Sequence, residues 1–352
     1  MASDIPETEP LYFQVDDLPY INYFYADDKV SCQVVLASPL PCLNEGSTEV
    51  HRLLFAWPAG NSGAAVFFTP PAGQDALTIK LKEGQSGRVL DPVEHVSPSH
   101  SHTPQSSRGV SGTLEISGTA NLDLAILGSV RTIRDYTDGA GILNPKVQQS
   151  ICFQQQDGSQ REVEINRILF DRSTSIHVTF TALSSTTAGS GAVRIDEGES
   201  SSLVQFEKGL YAFEAHQNYP QTRYMRPARV LKESSLQSLQ SSKADAVKSL
   251  SFFCNSEKIL AGGWRFLTYF GRDSMISLLL LLPVLTHEVV EVGLSAVLER
   301  IKQDDGSVCH EENIGDYPAA QAALDGTDKT SDAFDYKMVG TPHQHHVLKG
   351  GS

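Results

Sequence analysis

The sequence predicts an α+β protein, with an antiparallel β-sandwich over residues 1–219 and paired helices after it. Two observations carry this. From residue 11 to about 215 the chain breaks into short runs rich in β-branched and aromatic residues, separated by Gly, Pro, Ser, Asn and Asp. From Pro227 onward the apolar residues recur at helical spacing instead. Strands gathered before helices, rather than alternating with them, favour antiparallel sheets.

The strand runs are, in order, LYFQV, YINYFYA, SCQVVLA, HRLLFAW, AAVFFT, ALTIKLK, GTLEISG, LDLAILG, EVEINRILF, SIHVTFTAL and SSLVQFEKGLYAFEA. EVEINRI and SIHVTFT alternate polar with apolar, as strands with one buried face do. The span 84–113 holds His95, His100 and His102 among serines and prolines and reads as an exposed loop. Their spacing fits no rigid ligand set, so no metal site is expected. Residues 220–250 read as a helical linker, with Val230, Leu231, Leu236 and Leu239 among Ser, Gln and Lys, a polar hinge at 240–242 and then ADAVKSLSFF.

Residues 262–285, GGWRFLTYFGRDSMISLLLLLPVL, carry the chemistry. Trp264, Phe266, Tyr269 and Phe270 precede Gly271, and Arg272-Asp273-Ser274 opens an apolar helix. An Asp at a helix start satisfies free backbone N–H groups, so Asp273 reads as a cap or as a ligand-binding group. The first helix should run over about 274–282 and end at Pro283. Thr286 then caps a second helix, with Val290, Leu294, Val297 and Ile301 on one face. A short connection makes the two an antiparallel hairpin.

The loop 303–317, QDDGSVCHEENIGDY, must return to the end where the first helix began. It would bring His310, Glu311, Glu312, Asn313 and Asp316 beside Trp264, Tyr269, Arg272 and Asp273. Aromatic faces stack on sugar rings, while carboxylates and Arg bond neighbouring hydroxyls. The plainer alternative is a solvated acidic connection. Glu311 and Glu312 are the catalytic candidates, since one carboxylate beside another would raise a proton affinity toward that of a general acid.

The stretch GGWRFLTYFGRDSMISLLLLLP resembles the first-hairpin signature of the six-hairpin glycosidases. It is most similar to the glucosidase domain of glycogen-debranching enzymes, where an aromatic-Phe-Gly-Arg-Asp-Ser/Thr-Met/Leu-Ile stretch opens the first inner helix. The Gly-Gly-Arg-Phe…Trp-Asp motif of trehalases is a more distant likeness. The resemblance covers residues 262–285 well and 303–340 loosely. It implies that residues 251–338 begin an (α/α)6-barrel catalytic domain, behind a β-sandwich as in many such enzymes. It further implies that Asp273 holds sugar hydroxyls where the bond is cut, with Arg272 beside it, and that the substrate is an α-glucan or oligosaccharide. The family takes its general acid, a Glu, from a loop much later in the barrel. The resemblance therefore implies an incomplete barrel and a glycoside hydrolase that is inactive or impaired as this chain. Residues 339–352, with His343, His345 and His346, look foreign to the family and read as a tail.

Composition narrows the partners. With 28 basic against 42 acidic residues the formal charge is −14, and no basic stripe is present, which argues against nucleic acid. The expected partner is a carbohydrate, with no cofactor. MASDIPETEP lacks the basic and apolar stretches of a signal peptide, and the apolar run at 276–285 is too short to span a membrane. The 5 scattered cysteines and the absence of an Asn-x-Ser/Thr sequon point to a reduced, cytoplasmic setting. Two other functions fit the same features. One is a non-catalytic carbohydrate-binding or assembly module. The other is a polysaccharide lyase or repurposed enzyme on an α/α toroid, using Tyr269, Arg272 and His310. A lone hairpin with so apolar a surface is also expected to form homo-oligomers.

Overall fold

In a computed structural model of the chain, residues 9–40, 49–74, 76–97, 105–140, 143–155, 161–183, 192–197, 202–240, 242–327 and 333–336 are described. The first nine strands are β1 (Leu11–Asp17), β2 (Tyr20–Ala26), β3 (Ser31–Ala37), β4 (His51–Trp57), β5 (Ser62–Thr69), β6 (Ile79–Lys82), β7 (Asp91–Ser97), β8 (Gln105–Ile116) and β9 (Ala120–Ser129). Short helices α1 (Val130–Asp135) and α2 (Pro145–Gln149) lead to β10 (Cys152–Gln154), β11 (Glu162–Ile168), β12 (Ser175–Ala182), β13 (Val193–Glu197), β14 (Ser202–Phe206) and β15 (Gly209–Gln217). Helices then dominate, as α3 (Pro227–Val230), α4 (Glu233–Gln240), α5 (Ala244–Phe253), α6 (Gly271–Leu281), α7 (His287–Glu299) and α8 (Asp316–Asp325). A small hairpin, β16 (Glu311–Asn313) with β17 (Ala333–Asp335), brackets α8.

The fold is α+β with antiparallel sheets. One sheet has the order β1-β2-β3-β4-β5-β9-β14-β13, the other β10-β11-β12-β15-β8-β6, with β7 also on β8. They face each other over Phe55, Trp57, Phe68, Phe180, Phe206 and Phe213, all fully buried. The ring pairs Phe55–Phe213 at 5.5 Å and Phe68–Phe180 at 6.1 Å cross from sheet to sheet. Each contributes about 0.5–1.5 kcal/mol beyond its buried area.

The far side of the first sheet is dry as well. There Phe13, Phe24, Leu54 and Phe67 pack on Ile133 of α1, Phe252 of α5 and Leu267. This explains why β3, β4 and β5 are buried along their whole length and lack the alternation of a half-exposed strand. By contrast, β11 and β12 alternate buried with partly exposed positions. The second sheet turns its outer face to water.

Several expectations need correction. The span 84–113 is not a loop, because β7 and most of β8 lie in it and pair with one another. His95 stands on β7, while His100 and His102 lie outside the described residues, as do His343, His345 and His346. Strands β10 and β13 carry too few apolar residues to stand out in the sequence. Residues 220–250 do hold helices α3, α4 and the start of α5, with Val230, Leu231 and Val247 buried and Leu231 bridging to Leu285.

Helices α6 and α7 pack together at Gly293, where an added Cβ would lie 2.9 Å from Leu278 Cδ1. That close approach rotates the buried stripe of α7 onto Val289, Gly293, Ala296 and Val297. Leu294, expected inside, is 49% exposed. Ile276, Leu279, Leu280 and Leu282 of the α6 region and Leu298 of α7 are exposed too. Thr286 does cap α7, accepting from Val289 N at 3.4 Å. Among the described residues no helix is long and apolar enough to cross a membrane.

Candidate functional site

The start of α6 and the stretch around Glu312 do converge. Gly271 N donates to His310 O at 3.0 Å, and Phe270 forms a bridge with Glu311. Only glycine permits this approach, since a Cβ at 271 would stand 2.1 Å from Cys309 O. The helix begins three residues earlier than expected, with Phe270 rather than Asp273 at its cap and no capping side chain. Asp273 lies in the first turn, where its charge suits the positive helix end. It is 4.0 Å from Arg272, and both side chains are exposed to water.

Glu312 is a structural anion. Its Oε1 accepts from Lys258 Nζ, from Thr268 Oγ1 at 2.7 Å and from Tyr269 N at 3.1 Å. Its Oε2 accepts from Arg300 Nε at 3.1 Å and Nη2 at 3.0 Å. Burial alone would push this carboxyl up, but Lys258, Thr268 and Arg300 outweigh it and hold it below the usual carboxylate range. Glu311 points the other way, to Arg131 Nη1 at 2.9 Å, and Asn313 Oδ1 accepts from the same nitrogen. Neighbours on a strand project from opposite faces. The two glutamates therefore answer to different cations, and Glu312, held below the usual range, has no proton to give.

Other expected ligand groups are likewise engaged in the fold. Asp316 is buried, receives Arg167 Nη1 at 2.5 Å and Phe170 N at 3.1 Å, and so pins α8 to the sandwich. Trp264 is buried with the Arg52 guanidinium 5.1 Å and that of Arg265 4.4 Å from its ring centre. Its faces are taken. Tyr269 is fully buried under Arg300, and burial pushes its hydroxyl up to about 12. His310 is half-buried, edge-on to Phe270 at 5.7 Å, with Nδ1 unpartnered.

What remains open to a ligand is a rim of Arg272, Asp273 and His310, joined by Phe266. Sequence reasoning left Phe266 in the aromatic run without a role. It is 45% exposed and packs on Phe270 at 5.6 Å. Lys258 and Arg300, which neutralise Glu312, were also missed, being far off in sequence and without a motif.

A second feature lies on the outer face of the other sheet. It is a polar concavity of about 420 Å³ over β11, β12, β15 and β8. Its only forewarning was the alternation of EVEINRI and SIHVTFT, which puts one polar side chain in two on this face. No known protein family matches the chain, and no curated protein matches it either.

Proposed function

We propose that the chain is a carbohydrate-active, six-hairpin-glycosidase-like protein whose helices are the opening of an (α/α)6 barrel, and that it positions an α-glucan or oligosaccharide at the Gly271-Arg272-Asp273 turn. The observation that supports this is the exposed Arg272–Asp273 pair at the start of α6, held against the His310 segment by the Gly271–His310 bond. In this reading Asp273 accepts from two neighbouring hydroxyls of the sugar, Arg272 donates to a third oxygen, and Phe266 covers a ring face. Glycoside hydrolysis needs a carboxyl group that protonates the leaving oxygen and a second that activates water or attacks. Glu311, Glu312 and Asp316 are committed to Arg131, to Lys258 with Arg300, and to Arg167. This chain's part is therefore binding and orientation, not proton transfer by those residues.

The test is calorimetric titration of maltooligosaccharides into the native chain and into Arg272→Ala and Asp273→Ala. Binding that falls at least tenfold in each variant supports the reading; equal affinity in all three rejects it. A lyase reading has less support, because it asks a Tyr to act as acid or base and Tyr269 is sealed from solvent.

A further inference from the structure

The polar concavity on the second sheet has an ordered floor. Three imidazoles lie in a row, with ring centres of His95 and His216 4.4 Å apart and those of His216 and His177 4.9 Å apart. Each ring is oriented by its own partner. His95 Nε2 pairs with Glu214 Oε2 at 2.8 Å, His177 Nδ1 with Glu164 Oε1 at 2.6 Å, and His216 Nδ1 with Ser107 Oγ at 2.9 Å. The strand register sets a parallel row beside them, with Glu164 opposite Thr179 and Thr179 opposite Glu214. Opposite His216 stands Gly109, which adds no side chain to its row.

Chemistry narrows what such a surface takes. Three carboxylates, Glu162, Glu164 and Glu214, repel phosphorylated or uronic ligands. A lining of hydroxyls, carboxylates and an amide offers little to an apolar ligand. A metal ion would need donors that converge, and among the described residues no group of three or more His, Cys, Asp or Glu does so. Hydroxyl-rich neutral ligands fit best. Carboxylates accept from paired hydroxyls, Thr179 and Thr181 both give and accept, and the exposed faces of His95 and His177 offer ring surface.

We propose that this sheet face, centred on Glu164, Thr179 and Glu214 with the row His95–His216–His177, is a second saccharide site that binds a neutral oligosaccharide independently of the rim at Asp273. It rests on the reading that the protein handles carbohydrate, and it adds a place for substrate on the β-sandwich itself. A long glucan would then be held at two points, one on the sandwich and one at α6.

The test uses the full chain with maltotetraose as the probe, followed by calorimetry. In Asp273→Ala the rim is disabled, and binding should persist at the cleft. Adding Thr179→Arg, which lays a long cation between Glu164 and Glu214, should weaken that remaining binding at least tenfold. Glu214→Gln should also weaken it, and serves if Thr179→Arg lowers the melting temperature. Unchanged affinity on adding either cleft substitution overturns the second site, and complete loss in Asp273→Ala alone overturns it while leaving the rim reading standing. Full binding in Asp273→Ala, lost on adding either cleft change, upholds the second site and overturns the rim.

Discussion

Arg300 places Nε and Nη2 on a single oxygen of Glu312, at 3.1 and 3.0 Å, while Lys258 takes the other oxygen. This cluster joins the end of α7, the strand β16 and the loop before Trp264. Buried charges are costly unless paired, and removing one partner strands the other two.

Glu312→Ala should therefore destabilise the fold by about 3–5 kcal/mol. Denaturant melts at neutral pH check this. Because the folded carboxyl lies below its unfolded value of 4.5, its contribution is present above that pH and is lost as pH falls through the folded value. The native and Glu312→Ala stability curves should converge in acid. A loss below 1 kcal/mol would instead mark the cluster as loosely held.

Gly271→Ala tests the convergence itself. The added methyl meets Cys309 O at 2.1 Å, so the Gly271–His310 hydrogen bond must open. A drop of about 1–3 kcal/mol is expected, together with weaker saccharide binding, because the rim and the β16 segment separate. Unchanged stability would show that the two segments move apart without cost.

His216 makes the sheet face sensitive to acid. Burial, then the neighbouring His177 and His95, push its imidazole down to about 3 from 6.5. Lowering a base means that the unfolded chain binds the proton first. This group costs no stability above pH 6.5, and its penalty grows by about 1.4 kcal/mol per unit as pH falls from 6.5 toward 3. His216→Asn should flatten the melting temperature between those limits. An unaltered slope would place the acid sensitivity elsewhere.

The α6–α7 hairpin exposes Ile276, Leu279 and Leu280 at helical spacing on α6 and Leu294 and Leu298 one turn apart on α7. Apolar surface in one patch drives association. Light scattering of the native chain should show self-association that rises with concentration, and Leu279→Glu with Leu280→Glu should reduce it. A monomer at all concentrations would leave the patch without that role.

Much of the fold was legible because hydrophobic patterning is local. YINYFYA, SCQVVLA and HRLLFAW are strands at the residues that the runs mark out. The doubly buried strands differ from the alternating β11 and β12 for a reason the runs already carry, namely a second wet or dry face. The strand β7 was hidden because DPVEHVS is an edge strand with little apolar content. The candidate site was legible only as proximity. That Gly271 meets the His310 segment follows from helix lengths, whereas the commitment of Glu312 to Lys258 and Arg300 depends on residues 54 and 12 positions away. No periodicity encodes such a pairing. The stripe of α7 was misplaced because Gly293, which has no side chain to enter an apolar pattern, is the contact point with Leu278.

The first sheet is a party wall. Its inner side closes the sandwich and its outer side closes the helical layer, so Phe24 and Leu54 answer to one neighbour while Phe55 and Phe68 answer to the other. Cutting the chain after residue 219 would strip one tenant from that wall and uncover Phe24, which packs on Phe252 and Phe253, and Phe13 stacked on it. Protease should accordingly release no stable strand-only fragment, and the two layers should melt together as one unit.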